Sequence, residues 1–429
     1  MLTGIESYPF HMPGHKRNAQ FGIIGSEIDI TEIDGFDNLN SPSGVLRDLE
    51  RSLADLYKAR DCCISVNGAT GGIFAAISAV SNEGDTIIIA RNCHKSVYNA
   101  CMINRLNVVY IEPEYDGNYM LYGRVTQETV DKALSSCKNV CAVVITSPTY
   151  DGIVSNIKCD APLIIDSAHG AHFGFNVAFP DRPHGDIIIH SLHKTLPALT
   201  QTAAVLTNNG KYIESVRKYI HIYQSSSPSY VLLNSVDRCA DYFKNSKESF
   251  NSFINMLNGF YKELDGIENV EYLKNDDISR LIISAKGYTG MELAAHLRRH
   301  GIEPEGASYR YVTLIATVCD TQAGFDLLLN ALKALDKRDC APDSIPLPSI
   351  PEKACEAYEV IKTEAAELSA SAGRICGEFV YAYPPGSPLL VPGEIISDDI
   401  IKYIEALTEA GLNIISDSNL LPSKILTKA

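Results

Sequence analysis

A chain of 429 residues has room for two or three domains at roughly 150 residues each. Its 45% apolar and 21% charged residues describe an ordinary globular protein, large enough to bury a core without disulfide staples. The 37 basic side chains against 52 acidic ones leave a net charge of −15, which excludes a general nucleic-acid binder or a protein held on an anionic membrane, since both need a basic face.

Residues 1–40 form an arm with no clear period, a Pro13-Gly14 turn and the acidic run Asp34-Gly35-Phe36-Asp37. Its first part, Met1 to Arg17, lacks the apolar stretch of a signal peptide. From about residue 60 onward, short runs rich in Val and Ile alternate with helical patterns. Strands are expected at Cys62–Val66, Thr86–Ala90, Val108–Ile111, Cys141–Thr146, Leu163–Asp166, Ile187–His190 and Ala203–Leu206. Helices are expected between them at Gly71–Val80, Lys95–Arg105 and Gln127–Ser136. The strands are apolar on both faces, as in a parallel sheet covered by helices, and the alternation makes residues 41–245 a doubly wound α/β domain. Ligands bind such sheets beyond the carboxyl ends of the strands, so the polar residues that follow each run carry the interest.

After about residue 245 the pattern changes. A helix near Glu248–Leu264 leads to strands at Val270–Leu273 and Leu281–Ser284, a helix at Met291–His300, a strand at Tyr311–Thr317 and a helix to about Leu335. These make a smaller α/β domain over residues 246–340. Pro342, Pro346, Pro348 and Pro351 mark a linker. The final segment, 341–429, is expected to hold helices near Lys353–Ser371 and Asp399–Ala410. The twelve cysteines are scattered without a CxxC pair and read as reduced, cytosolic thiols. No apolar run reaches the roughly 18 residues of a membrane span.

Three constellations are candidates for chemistry. The turn Asn67-Gly68-Ala69-Thr70-Gly71-Gly72 joins a strand to a helix. It is either a plain tight turn or a place where backbone N–H groups, the Thr70 hydroxyl and a helix N-terminus meet a phosphate. Asp166 ends a buried strand and fits a helix cap, a metal ligand or a charge partner. Lys194, in Ser191-Leu192-His193-Lys194, follows another buried strand and reads as a surface residue or a catalytic amine. His169, His172, His184, His190 and His193 cluster nearby in sequence. A metal site is the rival reading there, but no HExxH occurs and His169-x-x-His172 alone is a poor zinc signature. A Ser-His-Asp hydrolase lacks its GxSxG elbow.

A phosphate-binding turn, an Asp after one strand and a Lys after a later one are together the parts that hold pyridoxal phosphate. Lys194 would join covalently to the cofactor, and Asp166 would keep the pyridinium nitrogen protonated so that the ring accepts electrons. Order and spacing match the fold type I, aminotransferase-like class: a mostly parallel sheet covered by helices, with a smaller C-terminal α/β domain.

Eight motifs then resemble the Orn/Lys/Arg decarboxylase family: Phe10-His-Met-Pro-Gly-His-Lys16, Thr31-Glu-Ile-Asp-Gly-Phe-Asp-Asn-Leu39, Arg91-Asn-Cys-His-Lys-Ser96, Ser147-Pro-Thr-Tyr-Asp-Gly152, Asp166-Ser-Ala-His-Gly-Ala-His172, Ser191-Leu-His-Lys-Thr-Leu196, Gln224-Ser-Ser-Ser-Pro-Ser-Tyr230 and Tyr383-Pro-Pro-Gly-Ser-Pro-Leu389. They run in family order and, with Glu394, cover nearly the whole chain. The resemblance is to the short form, without the receiver-like N-terminal domain of the long enzymes. It implies decarboxylation of lysine, ornithine or arginine with pyridoxal 5'-phosphate, in the cytoplasm and in polyamine biosynthesis. It also implies a homodimer or higher homo-oligomer with shared active sites. No nucleic acid, membrane or metal enters that picture.

Residue by residue, the resemblance has His94 stack on one face of the pyridine ring and Ala168 pack on the other. Ala69, Thr70, Ser191 and His193 hold the phosphate, His169 contacts the cofactor, and Ser225 reaches the phosphate of the neighbouring subunit. Lys194, His193, Asp166 and His94 carry the catalysis. The bland readings stay beside these: His94 as a helix start, Ser225 as a loop serine, His169 as a supporting residue rather than a cofactor contact. Three positions depart from the family. Ser167 replaces a Glu whose side chain points away from the ring. Ser308 stands where a second acidic residue is usual near Gly301 to Glu305, which weakens any carry-over of amine recognition to that region. Ser387 replaces an apolar residue of the Pro-Pro-Gly-x-Pro motif. An aminotransferase on the same fold, with Arg310 as the carboxylate anchor, is the rival enzyme. A non-catalytic cofactor-binding homologue is the rival without chemistry, and the four intact residues Lys194, Asp166, His94 and Thr70 speak against it.

Overall fold

A computed structural model describes residues 9, 11–338, 345–383 and 386–429. Phe10, Pro342, Pro384 and Pro385, and the proposed boundary between residues 340 and 341, lie outside the described residues. The chain forms two compact units, Met1–Ser81 with Pro162–Asn251, and Asn82–Ala161 with Ser252–Ala429.

In the first unit four strands lie in the order Asp61–Ser65, Ala203–Thr207, Ile187–Ser191, Leu163–Asp166. Leu163–Asp166 and Ile187–Ser191 are parallel, and their register sets Asp166 beside Ile189. Ala203–Thr207 runs against both of its neighbours. Ile164, Ile187, Ile189, Ala204 and Val205 are fully buried, as a sheet covered on both faces requires. The helix Gly68–Val80 packs closely on these strands because residue 72 is glycine: a Cβ there would stand 2.7 Å from Val205 Cγ2 and 3.1 Å from Ile189 Cγ2.

Three helices of this unit have no counterpart in the sequence reading: Val45–Tyr57, Ile213–Tyr223 and Tyr230–Lys244. The first buries Leu46, Leu49, Leu53, Ala54 and Tyr57 along one stripe, a helical period. Its start is capped from a distance. The Asp37 carboxylate accepts the N–H groups of Ser43, Gly44 and Leu46, and the Tyr230 hydroxyl donates to the Asp37 carbonyl. Burial alone would raise the Asp37 carboxyl, but these backbone donors reverse the effect and hold it below the usual range. Asp37, the last residue of the arm's acidic run, is thereby a helix cap.

In the second unit Thr86–Ala90 lies between Asn107–Ile111 and Val140–Thr146, all three parallel. An antiparallel sheet follows in the order Val270–Tyr272, Arg280–Ala285, Val312–Ile315, Gly306–Ala307, accompanied by helices Gly290–Arg299 and Gln322–Lys333. Near the C-terminus Val380–Ala382 pairs with both Pro388–Leu390 and Ile414–Ser416. Helix Asp398–Glu409 closes a core of Leu390, Ile396, Ile400, Ile404, Leu407 and Ile425.

The expected mostly parallel sheet with its helical cover is present, and most strand limits agree within a residue or two. The helix expected at Lys353–Ser371 is not formed. That stretch holds one 3-10 turn at Ala357–Glu359 and a strand, Thr363–Glu367, paired antiparallel with Lys424–Lys428. Its Ala and Glu residues favour a helix locally, but backbone pairing with a strand some sixty residues later overrides that weak preference. Among the described residues the cysteines are free thiols, and no helix is long and apolar enough to cross a membrane.

Candidate active site

Two strand ends of the first unit carry the central residues. Asp166 closes Leu163–Asp166 and is 3% exposed, its Oδ1 accepting the N–H of Ala168 at 3.1 Å. Ile187–Ser191 runs directly into the one-turn helix Leu192–Thr195, which bears His193 and Lys194. Lys194 Nζ lies 2.9 Å from His169 Nε2. Burial raises the Asp166 carboxyl above its ordinary value, against the opposing charge of Lys194 and the Ala168 N–H. A lysine acting on a buried carboxylate leaves that carboxylate suited to a cationic partner.

His193 is half-buried. Its Nδ1 stands 3.2 Å from the Thr202 carbonyl and 3.5 Å from Ser191 Oγ. Burial first, and the Lys194 charge in addition, lower its basicity despite the Thr202 carbonyl, so the ring is neutral near neutral pH. The other histidines of the cluster go elsewhere. His190 is pushed down to about 4 by burial, stacks on Tyr57 at 4.8 Å and bonds the Ser167 carbonyl. His172 packs edge-on to Phe173 and Phe179, and His184 is exposed.

Ala69 and Thr70 occupy the first turn of the helix Gly68–Val80, and no side chain caps it. The Asn67 amide, the natural cap, is turned away to donate to the Tyr223 carbonyl at 2.9 Å. Gly68 has φ +66° with open space where a Cβ would be, the conformation that glycine alone adopts without strain. Gln224 adds a donor. Its Oε1 accepts the N–H of Val66 at 3.3 Å, whereas its Nε2 is buried without a hydrogen-bond partner among the described residues. Ser225, next in sequence, is exposed and bonds within its own loop, to the backbone of Ser227.

The structure thus sets Asp166, Ala168 and His169 at the end of one strand and Ser191, His193 and Lys194 at the end of the adjoining one, with Lys194 reaching across to His169. Ala69 and Thr70 stand at the uncapped helix start of the same unit. His94 belongs to the second unit. It precedes helix Lys95–Ile103 as its N-cap, with Nδ1 2.8 Å from Ser96 Oγ and accepting the Ser96 N–H, so the helix-start role is real. Arg310 sets its guanidinium over the Tyr309 ring at 5.7 Å.

Sequence reasoning missed one pair entirely. Arg91 is buried in a two-pronged bond to Glu394, from Nη1 to Oε1 at 2.6 Å and from Nη2 to Oε2 at 3.1 Å. Both residues stand in or beside quoted motifs, but 303 positions separate them and no periodic signal links them. Gln224 was likewise visible only as part of a motif.

The donor set fits pyridoxal phosphate. An uncapped helix start and the Gln224 Nε2, buried without a hydrogen-bond partner among the described residues, suit a phosphate, the buried Asp166 suits a protonated ring nitrogen, and the Lys194 amine suits the cofactor's aldehyde. Fold and residues together define a fold type I pyridoxal-phosphate enzyme. The Orn/Lys/Arg decarboxylase major-domain model matches residues 3–281 and the C-terminal-domain model of the same family matches residues 342–414. The chain belongs to the Orn/Lys/Arg decarboxylase family. It is 32% identical to an arginine decarboxylase of Halalkalibacterium halodurans, across 94% of this chain and 91% of that one. It is 31% identical to an arginine decarboxylase of Bacillus subtilis, across 96% and 94%. A solved structure, the Francisella novicida lysine decarboxylase, superposes with a TM-score of 0.83 at 17% identity, covering 99% of this chain and 79% of that one; at that identity the likeness shows the fold.

Proposed function

We propose that this protein removes CO2 from a basic amino acid and releases the corresponding amine, with arginine the first substrate to test because the two relatives above are named for it. The observation that carries the proposal is the Lys194–His169 hydrogen bond beside the buried Asp166 carboxylate. Bound pyridoxal phosphate supplies the electron sink for the pair left when the Cα–carboxylate bond breaks. The chain's own residues do the rest. Asp166 holds a positive charge at the ring nitrogen, and the helix start at Ala69 and Thr70, with Ser191 and His193, holds the phosphate. His94 and Ala168 cover the two ring faces, an assignment that for His94 rests on its motif. Lys194 takes hold of the cofactor, His169 keeps its amine oriented, and Lys194 or His193 delivers the proton that Cα gains.

In this reading residues 1–40 are an arm, 41–245 the cofactor-binding domain, 246–340 the small domain and 341–429 the C-terminal segment. The enzyme works in the cytoplasm as a homodimer or larger assembly, with Ser225 given to the neighbour's phosphate, and its amine feeds polyamine biosynthesis. The test is to incubate the cofactor-loaded protein separately with arginine, lysine and ornithine and identify the products. One equivalent of CO2 with agmatine, cadaverine or putrescine supports the proposal. A keto acid would point instead to an aminotransferase, and no turnover of any of the three would overturn it.

A further inference from the structure

His94 sits on a turn, residues 91–95, that the C-terminal segment grips along its length. Arg91, at the start of the turn, is 3% exposed and Glu394 is fully buried. Besides its two bonds to Glu394, Arg91 donates from Nη2 to the Leu389 carbonyl at 3.1 Å. Its guanidinium lies over the Tyr110 ring at 4.9 Å. Glu394 is fixed in turn by the N–H of Val391 at 2.9 Å. In the middle of the turn, Ser387 Oγ donates to the Asn92 carbonyl at 2.9 Å. At its end the Lys95 N–H donates to the Gly386 carbonyl at 3.3 Å, and Lys95 Nζ reaches the Tyr381 hydroxyl at 3.0 Å. Gly386 abuts the imidazole itself. A Cβ on it would stand 3.5 Å from His94 Cδ2, and its φ of +87° is one that other residues rarely adopt.

Taking a guanidinium and a carboxylate out of water costs about as much as their attraction returns, so such a pair contributes little net stability. What it does provide is fixed geometry, because a two-pronged bond restrains both distance and plane. Its geometry is spent here on the backbone three residues before His94. Ser387 adds a bond that the apolar residue usual at this position of the family motif has no atom to make.

We propose that residues 386–394 form a positioning clamp for His94, with Glu394 acting through Arg91 and Ser387 through Asn92. Neither is a catalytic residue: they set the plane and height of the imidazole. The inference rests on the reading that His94 covers the cofactor ring, and it assigns the C-terminal segment a part in cofactor binding made by residues distant in sequence. Loosening the clamp lets the imidazole tilt, and misplacements of this kind cost about tenfold to a hundredfold in binding or rate.

The experiment compares Ser387→Ala, Glu394→Gln, His94→Ala and the Ser387→Ala/His94→Ala pair as holoenzymes. Cofactor dissociation constant, visible circular dichroism of the bound cofactor and melting temperature are read for each. The clamp predicts that Ser387→Ala and Glu394→Gln weaken cofactor retention about tenfold and alter the visible dichroism. It also predicts that Ser387→Ala has no further effect once His94 is alanine, since residues acting as a unit are not additive. If His94→Ala changes neither retention nor dichroism, the His94 reading fails and the clamp falls with it. If His94→Ala acts but Ser387→Ala leaves both readouts at wild type, or acts equally in the double variant, the clamp alone is overturned. Should Glu394→Gln fail to fold, Ser387→Ala carries the test unaided.

Discussion

The side-chain amine of Lys194 is hydrogen-bonded to His169, Nζ to Nε2, at 2.9 Å. His169 is 7% exposed, so the imidazole meets the lysine in a place largely closed to water, and its own position is fixed by the buried turn that follows Asp166. Under the proposed function this amine would form and break a covalent bond in each cycle, and such a group gains from a neighbour that orients it and shares its proton.

His169→Ala is therefore expected to lower kcat by about a hundredfold, the low end of what a positioned acid–base group contributes, while the cofactor stays bound. His169→Gln, which keeps a hydrogen-bonding group, should recover part of the loss. Lys194→Ala should abolish turnover. Stopped-flow CO2 release at saturating substrate measures all three, and a His169→Ala enzyme at wild-type rate would remove the residue from the mechanism.

Asp166 carries an opposite pair of consequences for stability and function. Its carboxyl is raised by burial in spite of Lys194 and the Ala168 N–H, so the folded state holds the proton more tightly than the unfolded chain does. Stability lent by the neutral form is present at low pH. It is lost as pH rises past the unfolded value of 3.8 and through the folded one, and above that the cost of the buried charge is complete. Asp166→Asn removes that cost. The cofactor-free variant should melt higher than the wild type near pH 7, yet turn over at least about a hundredfold more slowly for want of a charge at the ring nitrogen. Calorimetry of the cofactor-free protein alongside kcat checks both halves.

The strand ends that hold Asp166 and Lys194 were legible because buried strands announce themselves as apolar runs, and the polar residue after each run is where an α/β sheet exposes its chemistry. The stretch Lys353–Ser371 shows the limit of that reading. Its composition reports local helix preference, whereas its structure is decided by the strand Lys424–Lys428, which no local window contains. The helix Val45–Tyr57 has a clear apolar stripe, but its N-cap, Gly44, has no side chain to cap it, and the carboxylate that does so belongs to Asp37, seven residues before Gly44. Arg91 and Glu394 were each visible as motif residues, but a bond between positions 303 apart is a property of the folded chain.

A second buried charge network makes a stability prediction. Arg217 bonds Glu50 at 2.9 Å, Asp61 at 2.7 Å and the Cys62 carbonyl at 3.1 Å, while Arg47 bonds the same two carboxylates. Glu50 is 2% exposed. Removing Arg217 leaves two buried carboxylates to share one cation, and breaking such a network typically costs about 3 kcal/mol. Arg217→Met keeps the packing volume and should show that loss in urea denaturation. Arg217→Lys should show a smaller one, since an ammonium cannot make the forked contacts.

Asp151 gives the clearest pH dependence of the second unit. It is buried, accepts the Tyr311 hydroxyl at 2.9 Å and is pushed up to about 6 by burial, with the Tyr311 bond and the Arg280 charge opposing. Below pH 3.8 the carboxyl is neutral in folded and unfolded states alike and has no effect. Between 3.8 and about 6 the unfolded chain releases a proton that the folded one keeps, so stability falls as pH rises. Above that both states are ionised and the loss is complete, on the order of 3 kcal/mol for a shift of this size. The wild type should therefore lose stability from pH 4.5 to pH 7 by more than Asp151→Asn does, the difference amounting to on the order of 2 kcal/mol. Chemical denaturation at a series of pH values reads that difference. Parallel curves for the two proteins would mean that Tyr311 and Arg280 hold the carboxylate ionised, with burial the lesser influence.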